Sequence, residues 1–206
     1  MRCGVRPLVG LALSISAILP EAAEGQERLT LDLRAGASVP AGSFTTGPVS
    51  SGAIDAAPAF GLHFALRQNR WLDVYAGFSQ LRFGCEADGC VGPGELVSTA
   101  WDLGFHVRPV MGPWGPWFRV GVVFAVLEAS LPASPGGDPG VGSAPERFAS
   151  SSSLGGEAGL GWRIRLADAI GLSPGIRYTQ VNSRLDEDRM FRMRYWVADI
   201  GLVFGF

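Results

Sequence analysis

Lysine is absent from this 206-residue chain, and all seventeen basic residues are arginine. With nineteen acidic residues the net charge is −2, so there is no basic excess to draw a nucleic-acid partner. Long apolar runs are also missing. Beyond the first twenty residues no stretch approaches the ~20 residues that a membrane-spanning helix needs, and the longest, Val120 to Leu127, is interrupted by Gly121. Helical periodicity is scarce, no glycine-rich phosphate loop precedes a helix, and the two histidines, His63 and His106, stand far apart. No cofactor and no metal are expected. Cysteine is rare, with Cys3, Cys85 and Cys90 the full set.

The first 25 residues read as an export signal. Arg2 and Arg6 form a charged start, Leu8 to Leu19 a twelve-residue apolar run, Pro20 a break, and Ala23-Glu24-Gly25 a cleavage site of small residues. The run is too short to span a ~30 Å hydrocarbon core as a helix, so cleavage near Gly25 is expected, with residues 26–206 forming the mature domain. Cys85 and Cys90 then remain as an even pair in an exported protein, which reads as a disulfide stiffening one short turn. Zinc is the alternative for such a pair, but no histidine lies near and two ligands are too few.

What the chain does have is apolar content, 47% of residues, and 29 glycines, arranged with a period of two. From Leu154 to Leu166 the residues Leu154, Gly156, Ala158, Leu160, Trp162, Ile164 and Leu166 share one face; Gly155, Glu157, Gly159, Gly161, Arg163 and Arg165 share the other. Successive side chains of a strand point to opposite faces, so this is one apolar face backed by a glycine and charge face. The same split recurs in Leu29–Val39, Ala59–Arg67, Trp71–Phe83, Leu96–Pro109, Trp117–Glu128, Ile170–Val181 and Tyr195–Phe206, giving eight strands. Parity slips after Gln80, as at a β-bulge.

The connections alternate in length. Pro40–Pro58, Gly84–Glu95, Leu131–Ser152 and Asn182–Met193 are long; Gln68–Arg70, Val110–Pro116 and Ala167–Ala169 are short. That is the plan of an up-and-down membrane barrel with external loops and short periplasmic turns. A soluble sandwich or barrel also alternates, but its polar face should be densely charged; here it carries isolated charges among glycines. The bulky face is therefore expected to meet lipid and the glycine face a crowded lumen. Trp71, Trp114 and Trp117, at the periplasmic strand ends, are expected in an aromatic girdle.

From Leu29 to Phe206 the chain resembles the small eight-stranded outer-membrane barrels of the OmpA/OmpX type. The most specific element is its last segment, Tyr195 to Phe206, with alternating apolar residues and a terminal phenylalanine. The resemblance implies that Trp196, Leu202, Phe204 and Phe206 form the signal read by the outer-membrane insertion machinery, and that outer-membrane lipid surrounds the chain.

The inward positions then hold Asp32, Arg34, His63, Arg67, Asp73, Asp102, His106, Arg108, Arg119, Glu157, Arg163, Arg165, Arg177 and Asp199. Confined charges must be paired, because desolvating a lone ion is costly. An ion-pair network of Asp32, Arg34, His63, Asp102, Glu157, Arg177 and Asp199 is expected, with Arg34, Asp102, Glu157 and Arg177 near mid-height. Eight strands leave room only for side chains, so a filled lumen with a structural or surface-interaction role outranks a narrow channel for small solutes. An outer-membrane lipid enzyme is a distant third, since neither histidine has a serine–acid partner at readable spacing. The segment Asn182–Met193 crowds Arg184, Asp186, Glu187, Asp188, Arg189 and Arg192, either as a solvated charge run or as contacts for an unidentified extracellular ligand.

Overall fold

A computed structural model describes residues 29–41, 56–85, 94–109, 114–131, 146–150, 152–186 and 189–206. The export segment and Cys90, and with Cys90 the expected disulfide to Cys85, lie outside the described residues. Among the described residues nine strands follow one another: β1 (Leu29–Pro40), β2 (Ala57–Arg67), β3 (Leu72–Cys85), β4 (Gly94–Val107), β5 (Gly115–Leu131), β6 (Glu146–Ala149), β7 (Ser153–Arg165), β8 (Ile170–Asp186) and β9 (Arg189–Gly205). Every pairing is antiparallel. The ring runs β1-β2-β3-β4-β5-β7-β8-β9 and closes from β9 onto β1. The four-residue β6 continues β7 upward along the same neighbour: Glu128 faces Ala149 and Ala125 faces Ser153. The result is a closed barrel of eight staves.

The short connections are hydrogen-bonded turns. Gln68 N donates to Leu72 O at 2.9 Å, and Trp71 N donates to the Asn69 side-chain oxygen at 3.0 Å, a local bond asparagine is suited to make. Leu166 N donates to Ile170 O at 2.9 Å. At the start of β5, Gly115 has φ 127°, a backbone conformation that a side chain would strain. Closure is completed where Phe206 N donates to Leu29 O at 2.9 Å.

Alternation along the strands puts the bulky residues outside. Trp101 is 63% exposed and Phe206 68%, alongside Phe60, Phe64, Leu103, Phe105, Val120, Leu160, Trp162 and Ile200. The inward residues between them are buried.

Four features differ from the sequence reading. No bulge follows Gln80: the β2–β3 register is unbroken through Ala59↔Leu81, and β3 stays in register with β4 through Cys85↔Gly94. Leu81 and Phe83 point inward because the lumen itself is apolar at that height. The segment Asn182–Met193 is largely not a loop but a continued ribbon, with Asn182 facing Arg192 and Arg184 facing Met190, and one register irregularity before Asp186. Within Leu131–Ser152 lies the strand β6. Arg165 is outside the lumen: it sits at the rim, exposed, and bonds Asp168 at 2.7 Å in the adjoining turn.

Candidate functional site: the lumen

The inward side chains form three layers. At the end that carries the short turns Asp73, on β3, accepts from Arg108 at 2.6 Å and lies 3.8 Å from Arg163 of β7. Trp114 also lies at this end, where its ring occupies the space a side chain on inward Gly171 would need, and the Arg165 guanidinium lies 6.0 Å from its centre. Trp117 is in the lumen, 3% exposed, donating through its indole N–H to Ser173 Oγ at 3.0 Å. Neither therefore stands in an outer girdle; only Trp71 of the three is turned to the exterior, 49% exposed. The parity of β5 decides the matter for Trp117, since it shares a face with Arg119.

Above this layer, one connected network spans the barrel. Arg34, on β1, bonds Asp32 at 2.6 Å and Asp199 of β9 at 2.6 Å, and donates to the Ser173 carbonyl at 3.1 Å. Asp199 also pairs with Arg177 at 3.3 Å, and Arg177 reaches Glu157 at 3.8 Å and Asp102 at 4.0 Å. Arg119 closes the set, in direct contact with Glu157 and 3.7 Å from Asp102. His63 lies 3.3 Å from Asp102 and 3.5 Å from Arg119. All seven residues singled out from the sequence are thus brought together, three guanidiniums and His63 among four carboxylates once Arg119 is counted.

The sequence reading placed Arg119 in the lumen but outside the network, and it did not single out Tyr75. Both are central. The Tyr75 hydroxyl donates to Glu157 at 2.5 Å, its ring lies 4.3 Å from the Arg119 guanidinium, and the His106 ring stacks on it at 4.5 Å. Room for the hydroxyl comes from Gly104 and Gly121, where a Cβ would collide with it; Gly161 and Gly175 make the same allowance for Trp117. The glycines of the inner face are thus the complement of the large side chains opposite. Each large ring filling a glycine gap is a signal that cross-strand pairing, and not sequence spacing, reveals.

The outer layer is apolar. Ala57, Ala59, Leu81, Phe83, Leu127, Met193, Tyr195 and Val197 form one buried cluster, with Phe83 and Tyr195 edge to face at 6.1 Å.

No family model matches the chain, and no curated protein matches it. Solved structures do. Neisserial surface protein A superposes with a TM-score of 0.54 at 13% identity, covering 88% of this chain and 98% of that one. The fold is that of a small outer-membrane barrel. Ail, the attachment invasion locus protein of Yersinia pestis, in complex with the heparin analogue sucrose octasulfate, gives 0.54 at 16% identity, covering 87% and 100%. The outer membrane protein OprG from Pseudomonas aeruginosa gives 0.51 at 12% identity, covering 88% and 98%. On this fold the expected assembly residues face outward, Trp196, Leu202 and Phe204 on β9 and Phe206 directly after its end.

Proposed function

We propose that the chain is a bacterial outer-membrane barrel with a closed lumen, which acts through the strands and loops it presents above the membrane and not by conduction or catalysis. The observation that carries this reading is the stacking of two buried layers across the lumen, an ion-pair network beneath an apolar cluster. Three further points support it. The exterior is the apolar belt that lipid requires. β5, β8 and β9 are 17 residues each, beyond the about 9–11 residues that cross a bilayer, so ribbon is left over to project. A neighbour of this fold, Ail, carries a heparin analogue in its structure, an instance of the fold engaging a ligand. The same reading includes export with cleavage near Gly25, a Cys85–Cys90 disulfide, and insertion guided by Trp196, Leu202, Phe204 and Phe206.

Two measurements test it. A detergent-folded barrel should migrate differently on a gel before and after boiling, and an unshifted, freely soluble mature chain would rule out the membrane barrel. In planar bilayers the folded protein should show no steady conductance; steady single-channel steps would favour a narrow channel for small solutes instead.

A further inference from the structure

On the lipid-facing side of β7 the apolar belt has a gap. Three outward rows cross β5, β7, β8 and β9 here: Phe124–Leu154–Asn182–Arg192, then Val122–Gly156–Gln180–Arg194, then Val120–Ala158–Tyr178–Trp196. Gly156 and Ala158 supply almost no side chain between their bulkier neighbours, and the result is an open groove of about 530 Å3 whose walls include Val120, Leu154, Tyr178 and Gln180. Gly156 itself has space above it, since an added Cβ would meet only the Gly121 carbonyl, at 3.8 Å. The space at inner-face Gly104, Gly121, Gly161 and Gly175 is taken by rings of Tyr75 and Trp117; the space at outward Gly156 is taken by no side chain among the described residues.

The polar end of the same rows is basic. Arg192 and Arg194 are outward positions of β9, next to the groove wall on β8 and two strands, about 10 Å, from Gly156. Arg192 Nε is held by the Asn182 side-chain oxygen at 3.2 Å, and Arg194 Nε has no hydrogen-bond partner among the described residues. Tyr178 and Trp196, tilted together at 5.0 Å, sit in the next row. A greasy slot whose wall includes Gln180 and Asn182, the cross-strand partners of Arg194 and Arg192, has the layout of an amphiphile with an acyl chain and an anionic head, because guanidinium groups pair with phosphate in bidentate fashion.

We propose that this groove and the Arg192–Arg194 pair form a binding site for one outer-leaflet lipid that carries a phosphate headgroup, its acyl chain over Gly156 and its phosphate between the two arginines. The proposal rests on the membrane-barrel reading above.

Native mass spectrometry of the folded barrel in detergent, with dioleoyl phosphatidic acid, dioleoylglycerol or inorganic phosphate added, tests it. The expected result is one retained phosphatidic acid, with retention of dioleoylglycerol and of phosphate at least tenfold lower. R192Q/R194Q should lower phosphatidic acid retention at least tenfold, and G156L, which fills the groove, should do the same. R82Q, an exposed outward arginine on β3 at the far side of β1 and β2, should leave it unchanged. Equal retention of dioleoylglycerol, equal retention of phosphate, or indifference to both G156L and R192Q/R194Q would overturn the site. Gel mobility before and after boiling, run on the same samples, keeps the two readings apart. A shifted barrel that binds without selectivity sinks the lipid site alone; loss of the shift in the unmutated protein sinks the membrane barrel.

Discussion

The lumen has two regions built by one rule of alternation and held by different physics. At mid-height the inward positions carry charge: Asp32, Arg34, Asp102, Arg119, Glu157, Arg177 and Asp199. Nearer the outer end they carry Leu81, Phe83, Leu127, Met193 and Val197. In the first region stability depends on each ion keeping its partners, because an uncompensated buried charge is far costlier than the net gain of the pair. In the second it depends on volume and close packing, with no direction required. An inward face is therefore not one environment, and a strand that crosses both regions changes polarity without changing register, as β3 does between Tyr75 and Phe83.

The contrast can be broken or sharpened by four substitutions, each read by urea unfolding of the lipid-embedded barrel and, for the first, by conductance. Arg119→Ala should have the largest effect, a loss of about 3–5 kcal/mol, since Glu157 and Asp102 lose a shared cation in a buried setting. If the network plugs the lumen, intermittent conductance should appear in this variant. Tyr75→Phe removes one hydroxyl bond to a carboxylate and should lose about 1.5–3 kcal/mol with the gel shift on boiling retained. In the apolar region Met193→Leu conserves volume and should cost less than about 1.5 kcal/mol. A cost as large as that of Arg119→Ala would erase the distinction between the regions. At the rim, Asp168→Asn breaks an exposed pair with Arg165 and should leave the unfolding midpoint unchanged. A clear loss there would show that the turn, not the lumen, limits stability.

Much of this architecture was legible before any coordinates. Period-two alternation is a local property, so the strand centres and the inward parity of Asp32, Arg34, His63, Asp102, Glu157, Arg177 and Asp199 could be read directly. Strand ends were harder. The ribbon through Arg184 and Met190 carries so many charges that it reads as a loop, yet above a membrane a paired strand can carry charge on both faces at little cost. Tryptophan near a turn looks like a girdle residue, but Trp117 follows the parity of Arg119 into the lumen, where Gly161 and Gly175 leave space for its ring. The slip after Gln80 looked like a bulge because one polarity was assumed for the whole interior.

By itself the sequence determined the type of molecule: alternating faces, eight crossings, alternating connection lengths, and charges that have to be enclosed. These follow from neighbours along the chain, where backbone geometry fixes which way each side chain points. Only the tertiary structure decided which enclosed residues meet. Arg34 reaches Asp199 across 165 positions of sequence, and Tyr75 reaches Glu157 across 82, because closure of β9 onto β1 and the stagger between staves set the height of every inward residue. The register of β7 on β8 and of β8 on β9 aligned Gly156, Gln180 and Arg194 in one outward row, a grouping that no spacing along the chain could disclose.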